Sequence, residues 1–236
     1  MPNDIARRDF ADDEDLAPAF AEWTADKLRD AIAERGAATL VVSGGKTPGR
    51  YFEALSSMPL DWTRVSITLA DERRVANDSP RSNARLVREA LLRNHAMVAS
   101  FTPLADARLS ESQELIAASA RVANLPLPAD LVVLGMGDNG HTASWFPGAP
   151  GLAEAMDPGA RLLVVPIEAP DAPEPRLTLT GRVILRARAI ALQIAGQDKL
   201  NALAEAFEDG PAEAMPIRAV LRGASDRLTI FAAQRA

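Results

Sequence analysis

Apolar residues along this chain recur in two rhythms. Leu16, Phe20, Trp23, Leu28 and Ile32 fall at the three-to-four-residue spacing of one helix face. They predict a helix over residues 15–35, closed by Gly36 as C-terminal glycines close helices. Residues 38–42, 64–70, 130–134, 161–166, 189–195 and 228–232 are instead short, near-continuous apolar runs bounded by turn residues. Such runs suit strands buried on both faces. Between them, residues 48–57, 83–94, 111–124 and 197–208 predict helices, and everything before residue 38 reads as one acidic helix. Strands alternating with helices predict an α/β fold: an open, doubly wound, mostly parallel sheet with helices on both faces. This three-layer, Rossmann-like arrangement is expected to span residues 1–236 as a single domain. Ligands of such sheets bind beyond the carboxyl ends of the strands, so those ends are where chemistry is sought.

Composition narrows the choices. The chain has 236 residues, no cysteine, two histidines and a formal net charge of −6. Without cysteine there are no disulfides, thiolate nucleophiles or cysteine-held metals. Two distant histidines supply a metal site poorly. The acidic balance, with no long basic run, argues against a nucleic-acid partner. No apolar run approaches the roughly 18 residues of a membrane span, and the start lacks a basic-then-apolar signal pattern. A cytoplasmic protein without a membrane partner is expected.

Three predicted strand ends carry unusual residues. The first reads Ser43-Gly44-Gly45-Lys46-Thr47-Pro48. Adjacent glycines turn tightly and present N–H groups to an anion, with Thr47 as helix cap and Pro48 as first helical residue. It is not a nucleotide P-loop, whose first glycine would fall at Leu40. The alternative is an ordinary strand-to-helix turn. The second end reads Asp71-Glu72-Arg73-Arg74, with Ser82-Asn83 downstream. Four charges after a buried strand meet either solvent or a ligand, and Ser82 or Asn83 can cap the next helix. The third reads Gly135-Met136-Gly137-Asp138-Asn139-Gly140-His141. Here His141 and Thr142 are expected to open a helix that packs Ala143, Trp145 and Phe146 inward. The dipole at a helix start disfavours imidazolium, so His141 is expected neutral, the form a general base requires. His95 reads as a simple helix-end cation.

In combination these segments resemble the 6-phosphogluconolactonase family, related to glucosamine-6-phosphate deaminase/isomerase. The matching pieces are Ser43-Gly44-Gly45 with Thr47-Pro48, Asp71-Glu72-Arg73 with Ser82-Asn83, and Gly135–Gly137 leading to Gly140-His141 and Phe146-Pro147-Gly148. Leu177–Thr180 and Gly196–Lys199 follow in order. The resemblance implies hydrolysis of 6-phospho-D-glucono-1,5-lactone to 6-phospho-D-gluconate in the oxidative pentose phosphate pathway, with no cofactor and no metal. Its partner would be a small sugar phosphate, and the protein a monomer or homodimer. His141 would be the base that activates water, with Arg73 steadying the oxyanion or sugar hydroxyls. Ser43, Gly44, Gly45, Thr47 and Asn83 would contact substrate, and Lys199 and Arg176 would face the phosphate. The residues 166–175 read as a stiff proline-rich loop over the site.

One departure stands out. The family usually reads Asp-Gly-His, whereas this chain reads Asn139-Gly140-His141, with Asp138 one place earlier. Either Asp138 or Asp71 supplies the missing acid, or a less basic histidine suffices. Two other readings remain open. A deaminase/isomerase of the same kind would carry a carboxylate five residues after the histidine, where this chain has Phe146. A non-catalytic sugar-phosphate-binding domain would keep the pocket and lose turnover.

Overall fold

The computed structural model describes residues 5–45, 48–76, 78–106, 108–170 and 174–236. Among the described residues ten strands occur in chain order: β1 (Ala6–Asp12), β2 (Ala38–Val42), β3 (Val65–Leu69), β4 (Asp71–Arg73), β5 (Ser100–Thr102), β6 (Leu131–Leu134), β7 (Val164–Ile167), β8 (Arg176–Leu179), β9 (Ile190–Ala195) and β10 (Leu228–Arg235). The α-helices are α1 (Asp13–Arg35), α2 (Pro48–Ser56), α3 (Asn83–Leu86), α4 (Glu111–Ala123), α5 (Leu152–Met156), α6 (Gly181–Ile184), α7 (Gln197–Phe207) and α8 (Ile217–Gly223).

Seven strands form one parallel sheet in the order β1-β10-β9-β6-β2-β3-β5. Every residue of β2, β6 and β9 is buried, so both faces of the sheet centre are covered, as an all-parallel sheet requires. The order reverses between β2 and β6. From β2 the chain runs outward to β3 and β5; from β6 it runs the other way to β9 and β10. The loops leaving these two neighbours therefore part in opposite directions and leave a crevice between them, where open α/β sheets hold their ligands.

Local chemistry explains the helices that frame this crevice. Asp12 accepts the Asp15 N–H and caps α1, and Gly36 ends it with φ +79°. In that left-handed region glycine avoids the Cβ penalty. Helix α1 locks to α2 and β10 through an aromatic stack. Phe20 lies 4.2 Å from Tyr51 and 4.4 Å from Phe231, all three fully buried. Each such ring removed from water contributes roughly 1.5–3 kcal/mol.

Several sequence expectations need correction. The segment before residue 38 is not one helix: Ala6–Asp12 forms edge strand β1, parallel to β10. Its exposed Arg7, Arg8 and Asp9 hid it from an apolar-run search, and such charges protect sheet edges. The run at 161–166 does not join the parallel sheet. Val164–Ile167 pairs antiparallel with β8 in a separate three-stranded sheet, β4-β8-β7. Residues 71–73 are not a solvated loop: they form β4 of that small sheet, with Asp71 and Glu72 buried. The helix expected over 83–94 changes at Val87–Leu91 to a wider π-turn and ends there. Of the expected proline-rich loop, only Pro166 and Ile167 are strand, at the end of β7; residues 168–170 and 174–175 are irregular, Arg176 opens β8, and residues 171–173 lie outside the described residues.

Candidate active site

The crevice at the β2/β6 reversal holds a cavity of about 370 Å3. Its walls include Ser43, Gly44, Gly45, Asp71, Arg73, Asn83, His141, Arg176 and Lys199. Segments from five strand ends, up to 156 residues apart along the chain, thus converge on one space. Thr47, the expected helix cap, lies outside the described residues.

The wall after β2 is backbone. Ser43 N–H donates to Val133 O at 3.0 Å, which ties this loop to β6. The Ser43 hydroxyl is buried and has no hydrogen-bond partner among the described residues. Gly44 is a packing requirement: a Cβ there would lie 1.9 Å from Asn83 Oδ1. Gly45 has φ +111°, and the chain then enters α2 at Pro48. Such a glycine turn before a helix start presents N–H groups to an anion.

The wall after β6 carries the histidine. Residues 137–141 make a closed turn, with Gly140 N–H bonded to Gly137 O at 3.0 Å and Gly137 N–H to His141 O at 2.8 Å. Residues 141–146 are not a helix, contrary to expectation. Thr142 and Trp145 form a tight bridge instead, with Ala143 at φ +48°. Trp145 is fully buried, but Ala143 and Phe146 are only half-buried, and Ala143 lines the cavity. The helix-dipole argument for a neutral imidazole therefore fails.

Burial replaces it. The His141 ring packs against Gly137, where a Cβ would lie 2.0 Å from the ring, and its centroid is 4.6 Å from that of Phe146. Loss of hydration pushes the imidazole pKa down to about 4. Asp71 opposes the shift, while Lys199 and Arg176 add to it. His141 is neutral at physiological pH for this reason.

Asn139 defines which neutral tautomer is present. Its Oδ1 lies 3.2 Å from the His141 backbone N and 2.7 Å from His141 Nδ1. A backbone N–H can only donate, so the atom facing it is the amide oxygen. That same oxygen faces Nδ1, so Nδ1 carries the hydrogen and Nε2 keeps the lone pair. Asp138, one candidate for the missing acid, turns elsewhere: it pairs with Lys199 at 2.8 Å. This contact joins the turn to the start of α7.

Asp71, the other candidate, is buried and accepts the Ser144 hydroxyl on Oδ2 at 2.5 Å. Its backbone oxygen accepts Asn83 Nδ2 at 2.9 Å. Arg176 lies 3.9 Å from Asp71 Oδ2 and its guanidinium covers the Phe146 ring at 5.0 Å. In the β4–β8 ladder Arg73 stands directly opposite Arg176. Like charges opposed across strands are destabilising, and here they face a cleft with Asp71 as the near counter-ion. Neither Arg73 Nε nor Arg176 Nε has a partner among the described residues. This wall is suited to an anion.

Three contributors escaped sequence reasoning. Ser144 carries no local signal and the spacing assigns Phe146 to helix packing, yet Ser144 holds Asp71 and Phe146 touches both His141 and Arg176. Glu72 was read only as one of a charged run. It is 2% exposed and accepts four hydrogen bonds. Burial raises its pKa, and backbone N–H groups of Asn83, Ala84 and Arg73 pull against that.

The chain matches the family of glucosamine-6-phosphate isomerases/6-phosphogluconolactonase over residues 11–230. It is 49% identical to a 6-phosphogluconolactonase of Mesorhizobium japonicum, across 94% of this chain and 92% of that one. It is 46% identical to a 6-phosphogluconolactonase of Rhizobium meliloti, across 92% and 93% respectively. The crystal structure of a 6-phosphogluconolactonase from Shewanella baltica superposes with a TM-score of 0.92 at 39% identity, covering 100% of both chains.

Proposed function

Because this chain belongs to the glucosamine-6-phosphate isomerase/6-phosphogluconolactonase family, we propose that it hydrolyses 6-phospho-D-glucono-1,5-lactone to 6-phospho-D-gluconate, with His141 as general base. This is the lactonase step of the oxidative pentose phosphate pathway. The observation that carries the reading is the Asn139–His141 contact: with Nδ1 occupied, a neutral Nε2 is left as proton acceptor in a cleft shared with Ser43 and three cations.

Nε2 takes a proton from water as the water oxygen bonds to the lactone C1. The carbonyl π electrons move to its oxygen, and Arg73 stabilises the resulting oxyanion. Collapse restores C=O and breaks the bond from C1 to the ring oxygen. That oxygen takes the proton back from His141 and leaves as the product's hydroxyl, while the new acid ionises. No cofactor or metal enters this scheme. The phosphate dianion is held by the Ser43–Gly45 turn, Arg176 and Lys199. Asp71 holds Arg176 and, with Ser144 and Asn83, keeps that wall in register.

Phe146 favours hydrolysis over deamination or isomerisation. It fills the position where the related branch would carry a carboxylate, and its ring packs on His141. The segment before β2 forms β1 of the sheet and α1 packed on β10, and a purely binding role is not favoured by the free Nε2.

The test is lactone hydrolysis by wild type and His141→Ala, corrected for spontaneous opening. The wild type is expected to turn over the lactone, and the variant to lose about 100- to 10,000-fold in kcat. Equal rates would reject His141 as the base. Ammonia release from glucosamine 6-phosphate would favour the deaminase reading. Thermal stabilisation by 6-phosphogluconate without turnover would favour the binding reading.

A further inference from the structure

Glu72 is a buried carboxylate with no cation within ion-pair distance among the described residues. Its charge is met by hydrogen-bond donors alone. Oε1 accepts the backbone N–H groups of Arg73 at 2.7 Å and Asn83 at 2.8 Å. Oε2 accepts Ala84 N–H at 2.7 Å and the Ser82 hydroxyl at 3.1 Å. Ser82 Oγ in turn accepts Arg85 N–H at 3.1 Å, capping α3.

These donors belong to two separate pieces of the cleft. Arg73 comes from β4, and Asn83 and Ala84 from the start of α3, ten residues later. Both Arg73 and Asn83 line the cavity, as does Asp71 on the other side of Glu72. Asn83 is itself seated between the Asp71 carbonyl and the backbone of Gly44. A shift of α3 against β4 would move Asn83 away from Gly44 and release Arg73.

We propose that Glu72 is a positioning residue: as a carboxylate it clamps the start of α3 to β4 and so places Arg73, Asn83 and the Ser43–Gly45 turn around the substrate. This rests on the hydrolytic reading of the site. Its chemical requirement is an acceptor on both oxygens. An amide of the same shape has only one. If the NH2 took the place of Oε1 it would face two backbone donors. In place of Oε2 it would face Ala84 N–H, with the Ser82 hydroxyl able to turn and accept. Either way at least one helix-start N–H is left opposed to a donor.

The experiment compares wild type, Glu72→Gln, Ser82→Ala and Asp130→Asn. Asp130 is the matched control, a buried carboxylate bonded to Thr39 N–H and two arginines at the amino end of β6, away from the cleft. All are assayed well below their unfolding midpoints, for lactone turnover and for 6-phosphogluconate affinity by calorimetry. Glu72→Gln is expected to lower kcat/KM about tenfold or more, with a parallel rise in the product Kd. Ser82→Ala, which keeps the carboxylate but loses one donor, is expected to move both values the same way by less. Asp130→Asn is expected to lower Tm while leaving both within about twofold. Should Glu72→Gln not fold, Ser82→Ala carries the comparison. Wild-type kcat/KM and Kd in folded Glu72→Gln, or equal losses in Asp130→Asn, would overturn the proposal. Absence of turnover in the wild type would reject the hydrolytic reading instead, and the Kd series would still report on Glu72.

Discussion

Asn139 Oδ1 stands 2.7 Å from His141 Nδ1 and 3.2 Å from the backbone N of the same residue. One neutral oxygen therefore fixes both the turn and the tautomer. A carboxylate there would do the same and add a negative charge beside the ring. Asn139→Leu is expected to lower kcat roughly 10- to 100-fold, because nothing then orients the ring or holds the hydrogen on Nδ1. Asn139→Asp is expected to keep kcat within about tenfold of wild type and to move the acid limb of the pH profile upward. A rate gain of many orders of magnitude in Asn139→Asp would show that basicity limits the natural enzyme.

The pH dependence follows from the half-buried, desolvated ring. With its pKa pushed down to about 4 by desolvation, His141 stays unprotonated well below the usual histidine range. A plot of log kcat/KM for lactone hydrolysis is expected to be flat from pH 8 to below 6 and to fall only near pH 4–5. Stability carries the same sign. The unfolded imidazole binds a proton near pH 6.5, which the folded one refuses until about 4. His141's contribution to stability is therefore complete above pH 6.5 and is lost progressively as pH falls toward 4. Urea titrations of wild type and His141→Ala across this window measure it: their difference should shrink or reverse as the pH drops. An acid limb centred at 6.5 or above would contradict the buried environment.

Gly137 is required by the ring it supports. A Cβ on Gly137 would fall 2.0 Å from two His141 ring atoms, whereas one on Gly49 in α2 meets nothing within 4 Å. Gly137→Ala is expected to displace the imidazole and lower kcat at least about tenfold. Gly49→Ala is expected to raise stability by about 0.5–1 kcal/mol. Kinetics and denaturant titration on the two variants separate the effects.

Arg176 is buried, lies over Phe146 and leans on Asp71. Arg176→Ala is expected to raise KM about 10- to 150-fold, the loss of a charge-assisted contact worth ~1.5–3 kcal/mol. Arg176→Lys should recover little, because an ammonium neither stacks on Phe146 nor offers a planar fork to the phosphate. Inhibition by inorganic phosphate, weakened in both variants, would tie the loss to the phosphate end of the substrate.

Local pattern determined much of this protein without help from the fold. The continuous apolar runs of β2, β6 and β9 were legible as strands buried on both faces, and α1 was legible from Leu16 to Gly36 because amphipathic spacing and a C-terminal glycine are short-range signals. Their alternation implied the parallel sheet, and the sheet implied where the cleft lies. Nine of the candidate residues, from Ser43 to Lys199, meet there because strand ends at a reversal of order share one crevice.

Tertiary structure decided what spacing cannot encode. β1 is a strand only because β10 offers it an edge; its own Arg7, Arg8 and Asp9 carry no apolar signal. Asp71 and Glu72 are buried because β8 pairs with β4 from more than a hundred residues away. The neutrality of His141 was expected from a helix that does not form. It comes instead from contact with Gly137 and Phe146, which removes water from the ring. A pKa depends on everything packed within a few ångströms, and only the folded chain decides what that is.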